Sequence, residues 1–471
     1  MDEYQAFNIA TKSKSYFELI SVASADLHPP LWHVLIRLFS YTWDDYNVIK
    51  ILLSITTILT VIAIRKMAFF PFCLKVCILL SSYFTFTYTT VSRDYSLVIC
   101  ITFWIIYFQK INSLSNIKYL LIAILGFVNV FGLFLSVYFL LLSTAKSRIS
   151  GVKVYAIYIS IILSQFLSAL LLNPWNKDGT DMGPRQLDFN NGLISYSKIL
   201  FQSISPTSPG IQPGIVFGLI SILTVVILML MVAEQPKLQI FSWLLLTLLL
   251  ILFANAGFPY GTHEWNRGMY FLSILIPLIL NYPTNMETNL MVRFRVVKVN
   301  PRSIRFLIGG VIVALLTPTI SNTYEIYRDI EISRSSFTFY HDPIREFVSS
   351  LDCFDTSGRI YLVSDTYGDW VTTQMNAFLP KSKHVQFFVS SNDSHWIRWT
   401  RQRARANTLL QRSETASVKK FVEEKYECFI IQDLLYIRNL NQFTSYTILE
   451  SSPDIYGYLK PNRFLLLQRV H

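Results

Sequence analysis

Residues 117–144 read IKYLLIAILGFVNVFGLFLSVYFLLLST, and how this run folds decides the architecture. It is predominantly apolar, and longer than the ~20 residues a helix needs to cross a bilayer. At its middle, GFVNVFG (126–132) sets Gly126, Asn129 and Gly132 where a break is expected. Two readings are open: two short helices forming a hairpin, or one long tilted helix.

Further apolar segments lie at 47–64, 69–90, 94–109, 153–173, 213–233, 239–256, 268–282 and 304–321. The chain of 471 residues is 52% hydrophobic and 15% charged, which marks a membrane protein rather than a soluble domain. Its +11 formal charge does not form one patch, so nucleic acid is excluded as a partner. The cations sit mostly in short loops, where positive charge sets membrane orientation. With 117–144 as a hairpin and 31–43 lying on the surface, there are about ten spans. Arg65, Lys66, Lys75, Lys110, Lys118, Lys146, Arg148, Lys153 and Lys237 then face the cytoplasm, as does the basic loop from Arg293 to Arg305. If 31–43 spans and 117–144 crosses once, Arg65, Lys66, Lys75, Lys110 and Lys118 move outside. The positive-inside rule favours the hairpin.

The expected fold is therefore a polytopic α-helical membrane protein with a C-terminal extracytoplasmic α/β domain. Residues 1–46 form an external first loop with juxtamembrane helices, 47–321 the transmembrane domain, and 322–471 the external domain. In the last, GRIYLVSD (358–365), HVQFFVSS (384–391), CFIIQD (428–433) and RFLLLQRV (463–470) read as strands. Helical patterns lie around 342–351 and 416–425. Cys353 and Cys428 either pair or stand as two buried thiols. The basic, Trp-containing HWIRWTRQRARANTLLQR (395–412) is either a helix on an anionic membrane or a solvated helix with core tryptophans.

Polar chemistry gathers on the external side. Asp2 and Glu3 open an amphipathic stretch, and a carboxylate there suits a general base. SADLHPPLWHVLIRLFSYTW (24–43) carries Asp26 and His28 before a Pro-Pro pair that starts a helix too short to span. Arg93 and Asp94 sit at an outer span end, where ionisable pairs are often functional. Arg267 stands where a late span begins, with a planar fork suited to phosphate. Lys177 and Arg185 lie in the long loop 173–192. Each has a plainer role as surface charge, interfacial ion pair or headgroup contact.

In order, DEYQAFNIA (2–10), DLHPPLWHVLIRLF (26–39), SRDYSL (92–97) and NRGMYFLSILIP (266–277) resemble the GT-C membrane glycosyltransferases. The nearest group is that of the protein O-mannosyltransferases and lipid A aminoarabinose transferases. The resemblance implies transfer of one sugar from a polyprenyl-phosphate donor to an external lipid, glycan or protein acceptor, at the cell membrane. It implies Asp2 as the base with Glu3 beside it, and Arg267 with Arg93 on the carrier phosphate. At His28 some relatives have a metal-binding or structural residue, which leaves a divalent metal open; the sequence assigns no metal ligands and no cofactor. Two departures stand out: relatives place a membrane helix before the acidic pair, and have RPY or RMY where this chain has RDY, which opens a catalytic role for Asp94. The alternatives are a lipid-carrier transporter or flippase, expected to bury ionisable residues at mid-span, and a non-catalytic relative that binds polyprenyl phosphate.

Overall fold

A computed structural model describes residues 2–25, 29–43, 46–70, 72–81, 94–111, 116–146, 152–172, 236–255, 267–280, 343–363, 375–387, 426–432, 445–452, 455–456 and 461–470, with a few isolated positions besides. The chain divides into two compact units: Met1–Ile51 with Trp175–Asp181 and Tyr327–His471, and Leu52–Pro174 with Met182–Ile326. The N-terminal and C-terminal segments, separate in the sequence reading, thus belong to one unit.

That unit opens with α1 (Asp2–Lys12), α2 (Tyr16–Ala25) and α3 (Leu31–Ser40). Pro30 immediately precedes α3, where its missing N–H costs nothing, and its carbonyl accepts from Val34 N at 2.9 Å. The sequence suggests a surface-lying α1, but residues 4–10 are buried on every side. Tyr4 stacks on Tyr46 at 4.4 Å between centroids and meets Phe378 edge-on at 5.9 Å. α1 is covered by α3 and Tyr46, near in sequence, and by Phe378 from the C-terminal part, the last beyond the reach of local periodicity.

The C-terminal part carries helix α12 (Pro343–Ser349) and a five-stranded sheet of order β2-β1-β3-β7-β4. Its strands are β1 (Arg359–Val363), β2 (His384–Phe387), β3 (Cys428–Gln432), β4 (Tyr446–Ser451) and β7 (Phe464–Arg469). β1 pairs in parallel with β2 and β3, and β7 antiparallel with β3 and β4. A small hairpin of β5 (Ile455–Tyr456) and β6 (Pro461–Asn462) stands apart. Phe347, Leu362, Ile430 and Leu466 fill the core on one face. Cys353 and Cys428 form a disulfide with Cα atoms 6.0 Å apart, within ordinary bridging reach. The pattern at 416–425 and the basic stretch 395–412 lie outside the described residues.

The second unit is helical: most of α4 (Asn47–Lys66), then α5 (Phe72–Leu80), α6 (Tyr95–Ile111), α7 (Asn116–Leu125), α8 (Val130–Lys146), α9 (Val152–Leu172), α10 (Pro236–Asn255) and α11 (Arg267–Leu280). The segments expected at 213–233 and 304–321 lie outside the described residues. By length and composition, one helix among the described residues, Asn47–Lys66, is long and apolar enough to cross a membrane. Apolar stripes face outward: Ile55, Ile58, Leu59 and Ile62 on α4, and Ile159, Ile162, Leu163, Phe166, Leu167 and Leu170 on α9. Polar side chains such as Thr56, Thr102, Ser136, Gln165 and Ser168 are buried instead. This inversion is costly in water and suits lipid.

The run 117–144 folds as a hairpin. α7 ends at Leu125, α8 starts at Val130, and Ser136 Oγ donates to the Ile122 carbonyl at 2.6 Å, so the two helices lie side by side. Asn129 caps α8, its Oδ1 accepting from Gly132 N at 2.7 Å. The last carbonyls of α7 are met from α9: Gln165 Nε2 donates to Ile122 O (3.4 Å) and Ala123 O (3.3 Å), and Ser168 Oγ to Gly126 O (2.5 Å). Gly126 permits that approach, since a Cβ there would lie 1.8 Å from Gln165 Oε1.

Candidate functional site

Three helices of the second unit begin at one end of the bundle, joined by a chain of rings. Tyr95, first residue of α6, meets Phe131 near the start of α8 at 6.2 Å. Phe131 meets Tyr270, in the first turn of α11, at 6.1 Å, and Tyr270 meets Tyr196 at 5.8 Å. Tyr196 reaches Thr247 of α10 by a hydroxyl–hydroxyl contact of 3.3 Å. Phe131, Tyr196 and Tyr270 are buried and Tyr95 is half-buried.

The convergence brings together two residues singled out from the sequence. Asp94 immediately precedes α6, buried at 6% exposure, and its carbonyl accepts from Leu97 N and Val98 N, both at 3.1 Å. Arg267 is the first residue of α11, three positions before Tyr270. Three helix N-termini at one end present the positive ends of their dipoles, a setting that stabilises an anion.

Asp2 and Glu3 occupy the first turn of α1. Their side chains, that of Arg267, and all of Asp26, His28, Arg93, Lys177 and Arg185 lie outside the described residues. No group of three metal-binding side chains occurs among the described residues.

Residues that the sequence reading passed over form a second polar centre, in the first unit. Lys12, in the last turn of α1, is buried at 9% exposure and donates from Nζ to the Asn376 carbonyl. Asn376 is itself fixed to β2: Nδ2 donates to Val385 O at 3.0 Å and Oδ1 accepts from Val385 N at 2.7 Å. Burial, and then the Lys381 cation, pull the Lys12 ammonium down from 10.5 to about 7. Arg37 of α3, also buried, donates from Nη1 to Ser15 O at 3.2 Å and lies 4.7 Å over the Tyr16 ring. A hydrogen bond from the Arg37 guanidinium holds the Tyr41 hydroxyl below the usual phenol value, and its bond with Tyr41 raises that of Tyr16. The one signal in the sequence was the placing of Arg37 inside the apolar run LWHVLIRLFS.

No family of known proteins, no curated protein and no solved structure matches this chain.

Proposed function

We propose that the protein is an integral membrane glycosyltransferase that moves a sugar from a polyprenyl-phosphate carrier to an extracytoplasmic lipid, glycan or protein acceptor. The observation that carries this reading is the common start of α6, α8 and α11, with Asp94 and Arg267 at that end. Departure of a phosphate leaving group requires stabilisation of developing negative charge. Fixed helix ends and a guanidinium supply it without reorganisation. In this reading Arg267 with Arg93 holds the carrier phosphate, Asp2 takes the acceptor's proton with Glu3 beside it, and Asp94 is a further acid of the site. Asp26, His28, Lys177 and Arg185 contact the substrates. Outward apolar stripes on α4 and α9 support membrane insertion. The Cys353–Cys428 disulfide supports an oxidising, extracytoplasmic location for the first unit.

The test is to purify wild type and Arg267→Ala in mild detergent and identify the retained lipids by mass spectrometry. Wild type is expected to keep a polyprenyl phosphate or its glycoside, and the variant to lose it. Equal retention of bulk phospholipid alone in both removes the phosphate role of Arg267 and favours a transporter.

A further inference from the structure

Asn129 stands at the start of α8 with one end of its side-chain amide bound and the other not. Its carbonyl accepts from Leu133 N at 3.0 Å and its Oδ1 from Gly132 N at 2.7 Å, the pattern of a helix N-cap. The Oδ1 bond also fixes which way round the amide lies, because only the oxygen can accept from that N–H. Nδ2, across the amide carbon from Oδ1, therefore turns away from the first turn of α8. Asn129 is 3% exposed, and its buried Nδ2 has no hydrogen-bond acceptor among the described residues. A donor left so inside a protein is destabilising until a ligand or a water meets it. Gly132 keeps the amide in place. A Cβ there would lie 2.3 Å from the Leu125 carbonyl and 3.4 Å from Asn129 Oδ1, so its absence lets the start of α8 close on the end of α7.

This donor lies at the end of the bundle that carries Asp94 and Arg267. Phe131, two residues after Asn129, meets both Tyr95, which follows Asp94, at 6.2 Å and Tyr270, in the first turn begun by Arg267, at 6.1 Å. We infer that Asn129 Nδ2 is a fixed donor to the phosphate of the polyprenyl carrier; this rests on the glycosyltransferase reading and adds a binding residue to its donor site. The chemistry suits the place. The 17-residue α8 presents the positive end of its dipole at the same point. An amide there gives a phosphate oxygen a charge-assisted bond without bringing a further permanent charge into an apolar setting. Capping alone does not account for the residue, since serine and aspartate cap a helix as well. Asparagine alone among the three holds a cap and still has N–H donors to offer.

Cap and donor can be separated by substitution. Asn129→Ser and Asn129→Asp each keep a capping oxygen and remove Nδ2. The full-length protein in detergent is titrated with undecaprenyl phosphate, and bound lipid is counted by native mass spectrometry. Undecaprenol, which lacks the phosphate, is one control, and phosphatidic acid, an ordinary lipid phosphate, is the other. Wild type is expected to bind undecaprenyl phosphate above both. Asn129→Ser is expected to weaken that binding about tenfold with unchanged thermal unfolding, and Asn129→Asp to weaken it further, because its carboxylate repels the phosphate. Asn129→Thr, also a capping residue without the donor, replaces Asn129→Ser if that variant unfolds early. Binding by Asn129→Ser as tight as by wild type overturns the donor role, while its loss in Arg267→Ala leaves the phosphate site itself standing. Equal weakening of undecaprenol binding assigns the loss to packing and also overturns the donor role. Phosphatidic acid bound as tightly, and lost alike in Asn129→Ser, assigns the phosphate to an ordinary headgroup and overturns the carrier. Wild type that binds undecaprenyl phosphate no better than undecaprenol overturns both this inference and the glycosyltransferase reading.

Discussion

Lys12 carries the clearest pH dependence of any described residue. Its folded pKa, about 7, lies below the 10.5 of an ordinary lysine, because burial and then Lys381 oppose its charge. Between those values the unfolded chain binds a proton that the folded chain has released, so stability rises with pH through this window. Below about 7 both states are protonated and the penalty is complete. At 1.36 kcal/mol per unit it is on the order of 5 kcal/mol. Lys12→Met removes the titration. The variant is expected to melt several degrees above wild type at pH 6, with the gap narrowing by pH 9; a gap independent of pH refutes the assignment. Lys12 reads as a surface charge in DEYQAFNIATK, since its acceptor, Asn376, lies 364 residues away. Gly358 is different, because its role is local: φ is +74°, and a Cβ would lie 2.0 Å from the Ser382 carbonyl. Gly358→Ala should cost at least about 1 kcal/mol in thermal or denaturant unfolding.

Among the elements, the α7–α8 hairpin was the most legible in sequence and depends most on one side chain. Its break was readable from Gly126, Asn129 and Gly132, because glycine and asparagine act through local backbone geometry. What could not be read is how the buried end of α7 is satisfied, since Gln165 and Ser168 come from another helix. Away from water, a carbonyl left without a donor is destabilising by about 1–3 kcal/mol. Gln165→Leu should lower stability in detergent by that amount, and Ser168→Ala in the same background should add less than its effect alone, since both brace one helix end. Strictly additive losses contradict a shared role. The same contrast holds in the sheet. β1, β2, β3 and β7 are apolar runs with turn signals beside them, whereas β4 buries only Tyr446 fully and exposes Ile448 and Leu449. As an edge strand it lacks the two-sided burial that marks β3.

At the scale of the molecule, the proposed sidedness rests on sequence charge, and chain packing adds only which helix ends lie together. The proposed orientation makes the loop between α6 and α7 cytoplasmic, and with it the ends of α6, α8 and α11 that the ring chain Tyr95–Phe131–Tyr270 joins would lie outside. The site residues were legible only as types at helix starts. Their assembly rests on aromatic contacts between helices far apart in sequence, which no spacing rule encodes. The first unit joins Met1–Ile51 to Tyr327–His471, so the proposed membrane orientation requires both segments on one side. Its disulfide closes 75 residues between Cys353 and Cys428, and by the loop-entropy relation its loss is worth about 4.5 kcal/mol at most. Reduction or Cys353→Ala with Cys428→Ala should therefore lower the melting temperature of this unit by several degrees. Sidedness itself is read with single cysteines at exposed positions, in a background lacking the native thiols. Ser349→Cys on α12 and Lys14→Cys after α1 should both react with an impermeant maleimide on intact cells, while Arg65→Cys at the end of α4 should react only after permeabilisation. Labelling of Ser349→Cys without Lys14→Cys would separate segments that the fold unites. Labelling of Arg65→Cys on intact cells would invert the orientation and move the Asp94–Arg267 end into the cytoplasm, where an extracytoplasmic acceptor cannot reach it.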